Sequence, residues 1–118
     1  MKTALRGVFL TSENPRATAT FYEQVAALPL VKVGVEGHVY WRVDTNNIQL
    51  AIHDAKAFAP YTHPARIDSN VTHLYFTIDD HEAFLRHLEH LGVPPLSADK
   101  AVITVIDPDG RKVMFGTA

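Results

Sequence analysis

The fold class that this 118-residue sequence predicts is α+β, built from two successive βαβββ modules. Three observations carry the prediction. Two segments show a one-sided apolar stripe at helical spacing, each entered through a side chain suited to cap a helix. Each follows a short apolar run and precedes segments rich in Val, Ile and aromatics that break at turn residues. The second half of the chain repeats the order of the first.

The first module spans about residues 4–53. Residues 5–11 are short and apolar and lead into Ser12-Glu13-Asn14-Pro15, so a strand precedes a helix with Asn14 as N-cap and Pro15 at the first helical position. Phe21, Val25 and Leu28 recur at four- and three-residue spacing with Tyr22 beside them, and Leu28-Pro29 ends the stripe. Residues 30–35 and 38–43 are separated by Glu36-Gly37 and read as a hairpin. Residues 44–47 form a second turn. In the strand that follows, at 48–53, Ile48, Leu50 and Ile52 alternate with Gln49, Ala51 and His53.

Residues 54–70 carry Pro60 and Pro64 without clean periodicity and are expected to be a linker. The second module occupies 71–118. A strand at 71–78 leads to Asp79-Asp80, which caps a helix striped by Phe84, Leu85, Leu88 and Leu91 and stopped by Gly92. A weak strand is expected at 93–96 and a stronger one at 101–106; Asp107-Pro108-Asp109-Gly110 then turns the chain into a last strand at 111–116. Residues 39–43, turn, 48–51 match 102–106, turn, 113–116. Each unit thus has a sheet with one face on a helix and another face that must be buried elsewhere.

Composition narrows the function. Hydrophobic residues make up 47% and charged residues 20%, as in globular domains, so one domain covering 1–118 is expected. The net charge is −2 and no basic run exceeds two residues, which argues against nucleic acids and anionic membranes as partners. No apolar segment reaches bilayer-spanning length, and the N-terminus lacks the pattern of a signal peptide. The chain has no cysteine, which fits a cytoplasmic location and leaves seven histidines as the main nitrogens able to bind a metal.

Asn14-Pro15 followed by Phe21-Tyr22 and Leu28-Pro29, then His73-Leu74-Tyr75-Phe76 with Asp79-Asp80, and finally Asp107-Pro108-Asp109-Gly110 before the last strand, form an ordered set across essentially the whole chain. The set resembles the glyoxalase/bleomycin-resistance (vicinal oxygen chelate) superfamily. That resemblance implies curved mixed sheets around a cavity, often completed across a homodimer with exchanged modules. Its metal-dependent members include lyases, epimerases, ring-cleaving dioxygenases and antibiotic-modifying transferases, while others bind a drug without metal. The four ligand positions of such members fall here on Gly7, Gln49, His73 and Met114. Gly7 offers no donor, and the thioether of Met114 suits copper better than zinc, magnesium or manganese. Gln49 and His73 alone would leave a catalytic metal short of its usual three protein ligands, so no cofactor is expected.

The remaining residues are weighed by face. His73 shares the parity of Tyr75 and Thr77, opposite the helix; it serves either the pocket or a backbone carbonyl, and with Tyr75 it is competent in acid–base chemistry. His81, His87 and His90 are expected on the solvent side of the second helix, and His38 and His53 can meet across the hairpin. If the 44–47 turn pairs Val43 with Ile48, Arg42 lies opposite Gln49 and Tyr40 opposite Ala51, with Trp41 in the core. Arg42 could hold a carboxylate or phosphate, or simply pair with Asp44. Phe58 and Tyr61 form either a lid or an ordinary surface loop.

The leading expectation is a metal-independent small-molecule binding protein that sequesters a drug or metabolite. Its pocket comprises Phe9, Tyr40, Arg42, Gln49, His73, Tyr75 and Met114, and its partners are a small organic ligand and a second copy of the chain. The alternative is a lyase, isomerase or dioxygenase of the same superfamily that recruits a divalent metal through Gln49, His73 and a further group such as His53. A third is an interaction module with a vestigial pocket.

Overall fold

A parallel pairing of β1 (Gly7–Ser12) with β4 (Ile48–Asp54) organises the first module. The computed structural model describes residues 2, 5, 7–35, 37–46, 48–58, 74–100 and 102–117. Between β1 and β4 come α1 (Pro15–Val25), β2 (Val31–Val35) and β3 (His38–Thr45), and the sheet order is β1-β4-β3-β2. A one-turn helix, α2 (Ala55–Phe58), follows β4. The second module repeats the plan with β5 (Leu74–Thr77), α3 (His81–Leu91), β6 (Ser97–Ala98), β7 (Val102–Ile106) and β8 (Lys112–Gly116) in the order β5-β8-β7-β6. The two are separate, open four-stranded mixed sheets, not a closed barrel.

Local chemistry explains the helix ends. Asn14 accepts a hydrogen bond from the Ala17 amide at 3.1 Å and Pro15 opens α1; Asp80 accepts from the Ala83 amide at 2.9 Å at the start of α3. Gly92, at φ +70°, closes α3 in the left-handed conformation that an L side chain resists. The stripes of both helices then meet one face of each sheet. Leu10, Ile52, Tyr22 and Val25 from the first module join Leu88, Ile103, Val105, Val113 and Phe115 from the second in one buried cluster, with Trp41, Leu50, Leu74 and Phe76 packed against it.

Several expectations are corrected. The β3–β4 hairpin does not turn over 44–47: pairing continues to Thr45↔Ile48, and the turn tightens as Asn46 adopts φ +49°. Arg42 therefore lies opposite Ala51, not Gln49, and Tyr40 lies opposite His53, the next pair beyond Trp41↔Ile52, rather than opposite Ala51. The slip is two residues, so every side chain keeps its assigned face. The linker begins with α2, which Asp54 caps by accepting from the amides of Lys56 and Ala57. The short strand expected at 93–96 forms instead at Ser97–Ala98, after Pro94-Pro95, since proline cannot donate to a ladder. His81 and His87 are half-buried: their Nε2 atoms donate to the carbonyls of Asp99 and Gln24, each at 2.6 Å, and His87 so ties α3 to the end of α1. His90 is exposed.

The 107–111 turn does more than reverse the chain. Asp107, 3% exposed, accepts from the Tyr22 hydroxyl at 2.7 Å and pairs with Arg111 at 2.7 Å, while its other oxygen accepts from the amides of Asp109 and Arg111. Asp109 accepts from the Thr18 hydroxyl at 2.6 Å and the Glu13 amide at 3.0 Å, and Arg111 donates to the Thr11 carbonyl. Burial and the Asp107 carboxylate push the Tyr22 phenol well above its ordinary pKa. Burial opposes ionisation of Asp109, yet bonds from Thr18, Ser12 and Glu13 and the charge of Arg111 hold its carboxyl below the usual range. This polar knot fixes the second module to β1 and α1 of the first.

Candidate functional site

In both modules the helix occupies one sheet face, and alternation sends every other side chain to the opposite, outer face. On the first sheet the register Gly7↔Gln49, Phe9↔Ala51, Thr11↔His53 and Arg42↔Ala51 places Phe9, Gln49, Ala51, His53, Arg42, Tyr40 and His38 there. Phe9 remains 45% exposed, and Ala51 between it and Arg42 is fully buried. On the second sheet Tyr75 and Thr104 both pair with Met114 on the outer face. Tyr75 is 45% exposed.

The most organised part of this surface is a cluster of rings. His38 Nε2 and His53 Nδ1 lie 2.9 Å apart, with ring centroids 5.1 Å apart and planes within 15°. These values put the two imidazoles side by side in nearly one plane. Tyr40 lies 4.7 Å from His53 and 5.4 Å from His38, close to parallel with both, and Phe9 meets His53 edge-on at 5.4 Å. His53 is 8% exposed, while His38 is half-buried at the start of β3. Burial, and then the proximity of His38, push the His53 imidazole below its ordinary 6.5. One N–H and one lone pair make the bond between them, so two tautomeric arrangements of the neutral pair satisfy it.

Of the predicted site residues, the structure brings Phe9 and Tyr40 together around His53 and links Arg42 and Gln49 through Asp44. Arg42 sits 3.7 Å from the Asp44 carboxylate, and the Gln49 amide donates to it at 3.4 Å. Tyr75 and Met114 form a second group on the other sheet. His73 and Tyr61 lie outside the described residues. The histidine pair belongs to the site although it stood outside the predicted pocket; its signal was that His38 and His53 share the parity of Tyr40. Two open grooves of about 500 and 510 Å³ flank α3, and neither is lined by a predicted site residue.

The described donors do not fit the metal that the superfamily pattern implies. A Cβ on Gly7 would come within 2.4 Å of the Gln49 carbonyl oxygen, so this backbone has no room for a ligating side chain at that position. The Gln49 amide is oriented toward Asp44, and Met114 offers only a soft thioether. Among the described residues, no three His, Cys, Asp or Glu side chains gather as a metal site would need.

With this geometry in view, comparison with known proteins is informative at the level of family and fold. The model of the glyoxalase-like domain matches residues 7–115. No curated protein sequence gives a significant match. Among solved structures, a lactoylglutathione lyase from Agrobacterium tumefaciens superposes with a TM-score of 0.70 at 20% identity, over 98% of this chain and 94% of that one. A glyoxalase/bleomycin resistance protein/dioxygenase from Nocardioides gives 0.74 at 15% identity, over 98% and 83%. An antibiotic binding protein from a Streptomyces species gives 0.67 at 15% identity, over 98% and 95%. At these identities the likeness is one of fold.

Proposed function

The chain belongs to the glyoxalase-like family, and from that premise we propose that it binds a small organic molecule without the help of a metal. The observation that carries the reading is the contact at Gly7. The β1–β4 pairing is close enough there to exclude any ligating side chain, while the same outer face presents the aromatic residues Phe9 and Tyr40. Aromatic linings with a few placed polar groups suit flat organic ligands. The antibiotic binding protein of like fold is consistent with this use.

Phe9 and Tyr75, both 45% exposed, lie on outer faces that a second copy would cover, so the proposal includes a symmetric homodimer. Static light scattering at micromolar concentration checks it; a monomer throughout would remove that part. The absence of cysteine fits the cytoplasm as the proposed location.

The test of function is a thermal-shift screen of aromatic small molecules and divalent metals, paired with elemental analysis of protein purified without chelator. At least one organic compound should raise the melting temperature, as any ligand specific for the native state must. Zinc, nickel and manganese should leave it almost unchanged. Stoichiometric metal surviving purification would instead establish the alternative, a metal-dependent lyase, isomerase or dioxygenase.

A further inference from the structure

Resting on the reading that the outer face binds a small molecule, we propose that the first sheet holds a site for a planar aromatic anion. The ring of the anion lies against Phe9 and Tyr40, and its charged oxygen accepts a hydrogen bond from His38. The neutral histidine pair supplies that donor through the tautomer in which His53 donates to His38.

The shape of the site argues for a planar partner. Tyr40 lies nearly parallel to both imidazoles, Phe9 stands edge-on beside them, and Phe9 keeps almost half its surface exposed. Such a ledge gains most from a flat ring laid against it.

Charge argues for an anion. The described groups that face the pair are Tyr40 and Arg42 from its own strand, then Asp44 further along, with Gln49 on β4. Phe9 and Thr11 on β1 and Val31 and Val33 on β2 are uncharged. Asp54 and Lys56 follow His53, with the Asp54 carboxylate engaged by the amides of α2. The acid on the same face, Asp44, is already shared by Arg42 and Gln49. With these described carboxylates engaged elsewhere, an incoming carboxylate or phenolate supplies the acceptor for the donor of the pair.

The donor follows from the connectivity. With Nδ1–H of His53 donating to Nε2 of His38, the neutral His38 keeps its own Nδ1–H for the oxygen of the anion.

Isothermal titration calorimetry of the full chain near neutral pH tests this with two probes, naphthoate and the uncharged naphthalenemethanol. Naphthoate should bind more tightly by about tenfold, as a charge-assisted hydrogen bond confers. His38→Phe, which keeps a ring but no donor, should lose the preference while still binding naphthalenemethanol; a thermal melt confirms that it is folded. Equal affinity for the two probes, or a preference that persists in His38→Phe, would overturn the anion site while leaving small-molecule binding intact. If neither probe binds, the site is refuted, and small-molecule binding is decided by the broader thermal-shift screen.

Discussion

At the β3–β4 hairpin the chain turns tightly with Asn46 in the left-handed region, whereas at the matching β7–β8 hairpin residues 107–111 form a buried knot with the other module. The topology of the two sheets is the same, yet their polar side chains go to different tasks. In the first module His38 and His53 bond to each other on the outer face. In the second, Asp107, Asp109 and Arg111 bond to Tyr22, Thr18 and Thr11 across the junction. A repeated unit can therefore keep its backbone plan while one copy keeps its polar rings on the outer face and the other holds the pair together.

If this division is right, the largest effect on stability should come from the knot. Asp107→Ala removes the partner of the Tyr22 hydroxyl and the nearer of the two carboxylates of Arg111, leaving that largely buried charge to Asp109 at 3.4 Å. The expected loss is about 3 to 5 kcal/mol, read from urea denaturation curves. Asp107→Asn, which keeps an oxygen acceptor but not the charge, should fall between. A loss below that of an ordinary surface substitution would show that the modules are held by apolar packing alone.

Crowding at Gly7 should come second. Gly7→Ala sets a methyl group against the Gln49 carbonyl, a backbone atom that cannot swing aside, and is expected to cost about 1 to 3 kcal/mol. Gly7→His should be at least as destabilising and should gain no melting temperature from added zinc. A well-folded Gly7→His variant stabilised by zinc would mean that the first strand tolerates the ligand that the family pattern places there.

Much of this was legible in the sequence because its causes are local. Asn14, Asp80 and Gly92 announce helix ends through bonds to their own neighbours, and alternation sorted Tyr40, Arg42, Gln49, Tyr75 and Met114 onto outer faces. Parity survived even where register failed, since the hairpin slipped by two residues and not one. What stayed hidden depends on groups far apart in the chain. Asp107-Pro108-Asp109-Gly110 reads as a simple turn until Tyr22 and Thr18 arrive from α1. His81 and His87 read as solvent-facing until the carbonyls of Asp99 and Gln24 meet them. The histidine pair needed the β3–β4 register, which the turn residues alone left open.

The smallest expected effect sharpens the comparison by pH. The His53 imidazole is held below its ordinary 6.5 by burial and by His38, so the unfolded chain binds a proton there more readily than the folded one. The stability that follows from neutral His53 is fully present above the unfolded value and is lost as the pH falls from there through the lower folded value. Asp109 in the knot is also held low, so its contribution persists until pH drops toward and below the ordinary carboxylate value of 3.8. The two regions thus weaken in separate windows, the outer face first and the junction later. Urea unfolding of the wild type and His53→Gln at a series of pH values from about 5 to 8 isolates the first window from the other histidines by difference. The variant should be less stable than the wild type at the alkaline end, where it lacks the pair, and the gap should narrow as the pH falls. A gap that is constant across the range would mean that His53 titrates as freely in the folded protein as in the unfolded chain, and that the face holds no proton-sensitive pair.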